Sequence, residues 1–145
     1  MSNTEPLQPQ GWATPKGYAN GIAARGRQIF VAGQIGWNAQ AQFESDDFAA
    51  QVEQALKNVV EVLAAGAAKP SHIVRMNWYV TDKAEYVARQ RDVGAAYRRV
   101  IGRHFPAMTL LVVAGLLEPR AKVEIEATAV IPDQASPAAV AVAPR

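Results

Sequence analysis

Lys122-Val123-Glu124-Ile125-Glu126-Ala127-Thr128-Ala129-Val130-Ile131 is the stretch on which the fold turns. Val123, Ile125, Ala127, Ala129 and Ile131 point one way along an extended chain, and Glu124, Glu126 and Thr128 point the other. That period of two predicts a strand covered on one face only. Ile73–Val80 (IVRMNWYV) is a second β-rich segment, and the two share a layer if helices cover Met76, Trp78 and Val123. Arg75, Asn77, Tyr79, Glu124 and Glu126 then lie on the opposite, outer face. A slip of one residue would invert the assignment.

The rest of the body builds outward from these strands. Met108–Val113 is a further strand candidate. Tyr18–Ala24 and Gln28–Gly33 are two more, joined as a hairpin by Arg25-Gly26-Arg27. Between the strands, Phe48, Val52, Ala55, Leu56, Val59 and Leu63 fall at helical spacing, with Ser45 or Asp46 as cap and Gly66 as stop. Tyr86, Val93, Tyr97, Val100 and His104 mark one face of a second helix, begun near Thr81-Asp82 and stopped by Pro106. The predicted order is ββαβαββ: an α+β domain over residues 17–131, its mixed sheet covered on one face by two helices. Residues 1–16, with Pro6, Pro9 and Pro15, read as an irregular arm. Residues 132–145, prolines among alanines, read as a disordered tail.

Composition narrows the chemistry. A chain of 145 residues has room for one core. It holds no cysteine, which removes disulfides, thiol nucleophiles and thiolate metal sites together. Two histidines, His72 and His104, are poor material for a metal site or a triad, and both read as structural. Fifteen basic against thirteen acidic residues leave a charge of only +2, no general case for nucleic acid. The arginines 89, 91, 98, 99 and 103 point in several directions and read as a solvated, partly ion-paired helix surface. The polar first ten residues do not read as a signal peptide, and the longest apolar run, Met108–Leu117, is too short to span a bilayer. A cytoplasmic protein acting through carboxylates, arginines, tyrosines, backbone amides and water is expected, with no membrane partner.

Several segments, in order, carry a resemblance to a known family. They are Gly17-Tyr18, Ile29-Phe30-Val31-Ala32-Gly33-Gln34-Ile35, Gln51 with Asn58, and Ile73-Val74-Arg75. Tyr79-Val80-Thr81-Asp82, Phe105-Pro106-Ala107 and Val123-Glu124-Ile125-Glu126-Ala127-Thr128-Ala129 complete the set. Together they resemble the RidA (YjgF) family, similar in fold to chorismate mutase. The resemblance implies a homotrimer with ligand pockets between subunits and hydrolysis of reactive enamines and imines to 2-keto acids. It implies no metal and no organic cofactor, and as partners a small-molecule ligand and the chain itself.

Carried over by position, Glu124 stands where the water-positioning glutamate sits and Tyr18 where the pocket tyrosine follows glycine. Gly33 keeps the strand-end glycine. Four positions depart: Ala32 replaces a serine, Met108 the carboxylate-binding arginine, Leu110 a common cysteine, and Arg91 a pocket asparagine. Replacing an arginine that grips a buried carboxylate costs on the order of 3–5 kcal/mol. The usual small 2-imino acids therefore should not fit, unless Arg91, or less directly Arg75 or Arg120, supplies the cation. A solvated arginine is the plainer reading of Arg91. Trp78 reads as core, and Trp12 and Trp37 as lining the pocket mouth or simply packed. Three functions remain open: an imine hydrolase for a larger or less acidic substrate, a non-catalytic metabolite-binding trimer, and an RNA-cleaving protein of the kind some relatives are labelled.

Overall fold

The computed structural model describes residues 2–133. The tail expected over 132–145 therefore lies, from residue 134 on, outside the described residues. In chain order the strands are β1 (Thr4–Leu7), β2 (Gly21–Ala24), β3 (Arg27–Ile35), β4 (Ile73–Val80), β5 (Ala107–Val112) and β6 (Val123–Ile131). The helices are α1 (Phe48–Ala65), α2 (Lys83–Ala88) and α3 (Gln90–Val100). The main sheet runs β3-β6-β4-β5. β6 pairs antiparallel with both β3 and β4, and β4 pairs parallel with β5. The sheet is mixed, as expected, and helices cover one face of it.

The alternation in β6 settles which face. Val123, Ile125, Ala127 and Ala129 are buried with Met76, Trp78 and Val80 of β4. All six apolar positions expected on α1 are buried against them. Each large side chain so removed from water contributes roughly 1.5–3 kcal/mol. Gln51 sits among them, only 1% exposed. Its amide donates to the carbonyls of Ser45 and Arg120, and its oxygen accepts from the Lys122 N–H at 2.9 Å. One side chain thus ties the entry of α1 to the start of β6.

Five local expectations are corrected. β2 and β3 do not form a hairpin. At Gly26 (φ +143°) a Cβ would fall 1.9 Å from the Ile131 carbonyl oxygen, so the chain turns hard against the end of β6. β3 pairs with β6, while β2 pairs with β1. The arm over 1–16 is accordingly not all irregular: Thr4–Leu7 is a strand, and Asn3 clips it to the carbonyls of Arg25 and Val130. Pro6 is accepted because this is an edge ribbon.

The cap of α1 is Asp47, whose carboxylate accepts from the Ala50 N–H at 3.0 Å; Ser45 supports the turn, accepting from the Asp47 N–H. The second helix is two helices, broken at Arg89, whose N–H donates to the carbonyls of Glu85 and Tyr86. It also ends before His104. Gly102, at φ +90°, turns the chain out first. His104 instead holds the Ile73 carbonyl through Nε2 at 2.6 Å, and His72 accepts the Lys69 N–H. Among the described residues, no helix is long and apolar enough to cross a membrane.

Candidate functional site

β5 is the edge of the sheet, and the segment before β2 crosses its beginning. The Ala19 N–H donates to the Pro106 carbonyl at 3.0 Å, and Gly17 (φ +78°) bends the chain just ahead of it. Tyr18 is thereby held beside Met108. A cleft of about 570 Å³ opens here between β5 and the helices. Met108, Thr109 and Leu110 form one wall with Trp78, while Gln90, Val93, Gly94, Tyr97 and Arg98 face them. Tyr18, Lys16, Tyr86 and Phe105 complete it. Tyr97 stacks on Phe105 with ring centroids 5.7 Å apart and donates to the His104 carbonyl. Burial pushes its phenol well above the ordinary tyrosine range, so it is a neutral wall rather than a proton source.

The other half of the expected site lies elsewhere. The β3–β6 register shifts between Val31 and Gln34, so Ala32-Gly33 bulges. A Cβ on Gly33 would stand 2.7 Å from Cδ and Oε1 of Glu124. The missing side chain is what lets the Glu124 carboxyl lie against the bulge. On the same face Glu126 accepts from Asn77 Nδ2 at 3.0 Å and from the Tyr79 hydroxyl at 2.6 Å. These donors, helped by the charge of Arg75, hold its carboxyl below the usual range. The same bond raises the Tyr79 phenol. A shallower concavity of about 420 Å³ opens there, lined by Phe30, Ala32, Arg75, Asn77, Glu126 and Thr128.

Strand register shows why the halves are apart. Met108 is opposite Met76 and Leu110 opposite Trp78, on the helix-covered face. Glu124 is opposite Tyr79, on the outer face. Within one chain the structure brings together Tyr18, Met108 and Leu110, and separately Gly33 and Glu124, with Ala32 in the shallow concavity. The resemblance implies a cleft between subunits that joins Tyr18, Met108 and Glu124, and one copy alone does not form it. The sheet itself lies between them.

Arg91 is exposed and lines neither concavity. Arg120 pairs with Asp46 at 2.9 Å and lies over the Phe43 ring. Arg75 stands beside Glu126. None of the three faces Met108. The arginine that does is Arg98, which sequence reasoning left in the solvated group. Its signal was the spacing Gln90–Gly94–Arg98, one stripe of a helix whose neighbouring stripe, Val93–Tyr97, is buried. Arg89 pairs with Asp47 and Asp92, and Arg99 with Glu53. Trp78 is core as expected. Trp12 is 62% exposed and Trp37 packs on Phe43; neither lines the cleft. No group of three or more His, Cys, Asp or Glu side chains suited to a metal occurs among the described residues.

Comparison with known proteins agrees with this architecture. A family profile described as Endoribonuclease L-PSP matches residues 10–131. The chain is 35% identical over 111 residues to Protein DfrA of Myxococcus xanthus, covering 72% of this chain and 77% of that one. It is 34% identical over 116 residues to the 2-iminobutanoate/2-iminopropanoate deaminase of Escherichia coli K12, covering 78% and 86%. Among solved structures, a Rid-family protein of unknown function from Yersinia pestis, YyfB, superimposes with a TM-score of 0.76 at 32% identity. That match covers 89% of this chain and 99% of the other.

Proposed function

This chain belongs to the Endoribonuclease L-PSP family, the RidA/YjgF group, and on that premise we propose that it hydrolyses a reactive enamine or imine in pockets formed between copies of itself. The observation that carries the reading is the Glu124 carboxyl seated against the bare Gly33 bulge. A carboxylate held there on a rigid central strand can orient a water and take its proton as the oxygen attacks the C=N carbon. Glu124 passes that proton to the nitrogen, giving a neutral carbinolamine; the carboxylate then takes the carbinolamine O–H proton and delivers it to the nitrogen as the C–N bond breaks, so that a carbonyl product and ammonia leave. Backbone groups near Gly33 and Leu110 polarise the substrate, and Tyr18 closes the pocket. The balance requires only water.

Assembly follows from the two-faced layout. Glu124 reaches a ligand beside Tyr18, Met108 and Leu110 only if the outer face of one copy meets the β5 edge of another. The outer face suits such a contact: Phe30 is 71% exposed there, next to Thr128, and Leu111 is half exposed beside Tyr79. A homotrimer is the proposed state. With Met108 at the carboxylate-binding position, the substrate is not the usual small 2-imino acid.

The test uses imines generated in situ from a panel of amino acids, with unhydrolysed imine trapped chemically. Glu124→Gln should lower turnover about 10²- to 10⁴-fold, and Met108→Arg should gain activity on 2-aminoacrylate. Unchanged turnover in Glu124→Gln overturns the proposal. A second reading, a metabolite-binding trimer without chemistry, is favoured by Met108 itself. It predicts ligand binding with no turnover in either wild type or Met108→Arg.

A further inference from the structure

We propose that Arg98 is the anion anchor of this pocket, and that the cleft takes a carboxylic acid with a bulky, aryl-bearing side chain. The inference rests on the imine-hydrolase reading for the identity of the acid, a 2-imino acid, but not for its binding. Five observations carry it.

Arg98 is uncommitted. Among the described residues it has no hydrogen bond or ion pair, while Arg89 and Arg99 each engage carboxylates; Arg91 and Arg103 are also unpaired but do not line the cleft. Its guanidinium is also directed along the cleft wall. A Cβ on Gly94, one turn earlier, would lie 3.4 Å from Nη1 of Arg98, so the side chain folds back over that glycine as helical side chains do. The lining that one copy supplies carries charge of one sign: it includes Lys16 and Arg98 and no Asp or Glu. A planar guanidinium beside largely apolar neighbours binds a carboxylate through two parallel bonds.

The rest of the lining sets the size and character of the ligand. Tyr18, Tyr86, Tyr97, Phe105, Met108 and Leu110 present rings, a thioether and an aliphatic chain. These pack on aryl groups with little demand for direction. At about 570 Å³ the cleft lies within the roughly 300–1,000 Å³ range that buries a drug-sized ligand. A three-carbon acid would leave most of it wet. Trp78 adds an unmet donor: its indole N–H is buried without an acceptor. A ligand oxygen that parts the side chains around it would satisfy it. The arginine absent from position 108 has thus been replaced across the cleft by one on α3, and the side chain that took its place is apolar.

Binding of unreactive 2-keto acids tests the anchor without any chemistry. Phenylpyruvate and pyruvate are titrated calorimetrically into the full-length wild type, Arg98→Gln and, as a surface control, Arg91→Gln. Phenylpyruvate should bind at least tenfold more tightly than pyruvate. Loss of a charge-assisted contact in Arg98→Gln should weaken it about 10- to 100-fold, and Arg91→Gln should leave it unchanged. Equal binding by Arg98→Gln and wild type, equal binding of the two acids, or no binding of phenylpyruvate overturns the inference. Arg98-dependent binding with no imine turnover would leave the anchor standing and remove the hydrolase reading. Glu124-dependent turnover with Arg98-independent binding would do the reverse.

Discussion

Gly33→Ala adds one methyl group and moves a carboxylate without removing it. The new Cβ would lie 2.7 Å from Cδ and Oε1 of Glu124, where ordinary contact begins at 3.4 Å. The carboxyl must retreat by at least about 0.7 Å. Displacement of this size in a group that positions a reactant costs on the order of 10²-fold in rate. The fold should not suffer, because Gly33 is not in the left-handed region and the atom it meets is the end of a flexible side chain. The substitution also removes freedom from the unfolded chain, worth about 0.4–1 kcal/mol in favour of folding. The expected result is a kcat lowered about 10- to 100-fold, with KM little changed and Tm equal to or above that of the wild type. Measurement is by trapping residual imine after short incubations and by thermal melting of the same samples. The double variant Gly33→Ala/Glu124→Asp, with a carboxylate one methylene shorter, should recover part of the lost rate. A folded Gly33→Ala with kcat within twofold of wild type would show that the Glu124 position against the bulge does not matter to the reaction.

Asp47→Ala removes both the cap of α1 and the partner of Arg89; about 1 kcal/mol of stability should be lost at pH 7, read from the urea midpoint. The bond from Arg89, then the Ala50 N–H, holds this carboxyl below its ordinary value of 3.8, so its stabilisation is present above that pH and is lost as pH falls through the folded-state value. The difference between wild type and variant should therefore shrink below about pH 4, and a constant difference would refute the linkage. A mixed-oligomer experiment addresses the divided pocket: Glu124→Gln and Arg98→Glu, each inactive alone, should regain activity when unfolded and refolded together. With random assembly about a quarter of pockets receive both intact halves, and no recovery despite demonstrated subunit mixing would show that one copy supplies both.

What the sequence disclosed depended on the range of the interaction that encodes it. The alternation of β6 and the spacing of Phe48, Val52, Ala55, Leu56, Val59 and Leu63 are local patterns, and both emerged in the structure as read up to Ala129, beyond which Val130 is buried and Ile131 half-buried. The outer-face assignment of Arg75, Asn77, Tyr79, Glu124 and Glu126 followed from the same parity. The pairing of β2 did not, because a Gly-containing link between two short apolar runs is equally compatible with a hairpin and with two strands in different sheets. Only the close approach of Gly26 to Ile131, more than 100 positions away, decides between them. The break at Arg89 was hidden for a related reason: its polar contacts reach to Asp47 on another helix. Arg98 was visible as a residue but not as a site. Of the arginines 89, 91, 98, 99 and 103, Asp47, Asp92 and Glu53 engage only Arg89 and Arg99, and which of the others meets the cleft depends on the face of α3 that packs beside β5.

The parity that made the fold legible also separates the two tasks of the site. Residues 108 and 110 share a face with the core, so their character is coupled to packing against Met76 and Trp78. Glu124 shares a face with Tyr79 and depends on the absence of a side chain at Gly33. A change from arginine to methionine at 108 therefore alters the cleft wall and its neighbours on the helix side, and exerts no direct steric demand on the bulge across the sheet. On the function proposed above, contacts that recognise the substrate can be rebuilt, as a cation on α3 in place of one on β5, while the carboxylate proposed to orient water keeps its seat. Such a layout permits a change of substrate at constant chemistry, because substitutions with no shared partners act nearly independently. In this chain the Gly33–Glu124 contact on one face and the cation-bearing cleft on the other are the combination that such independence allows.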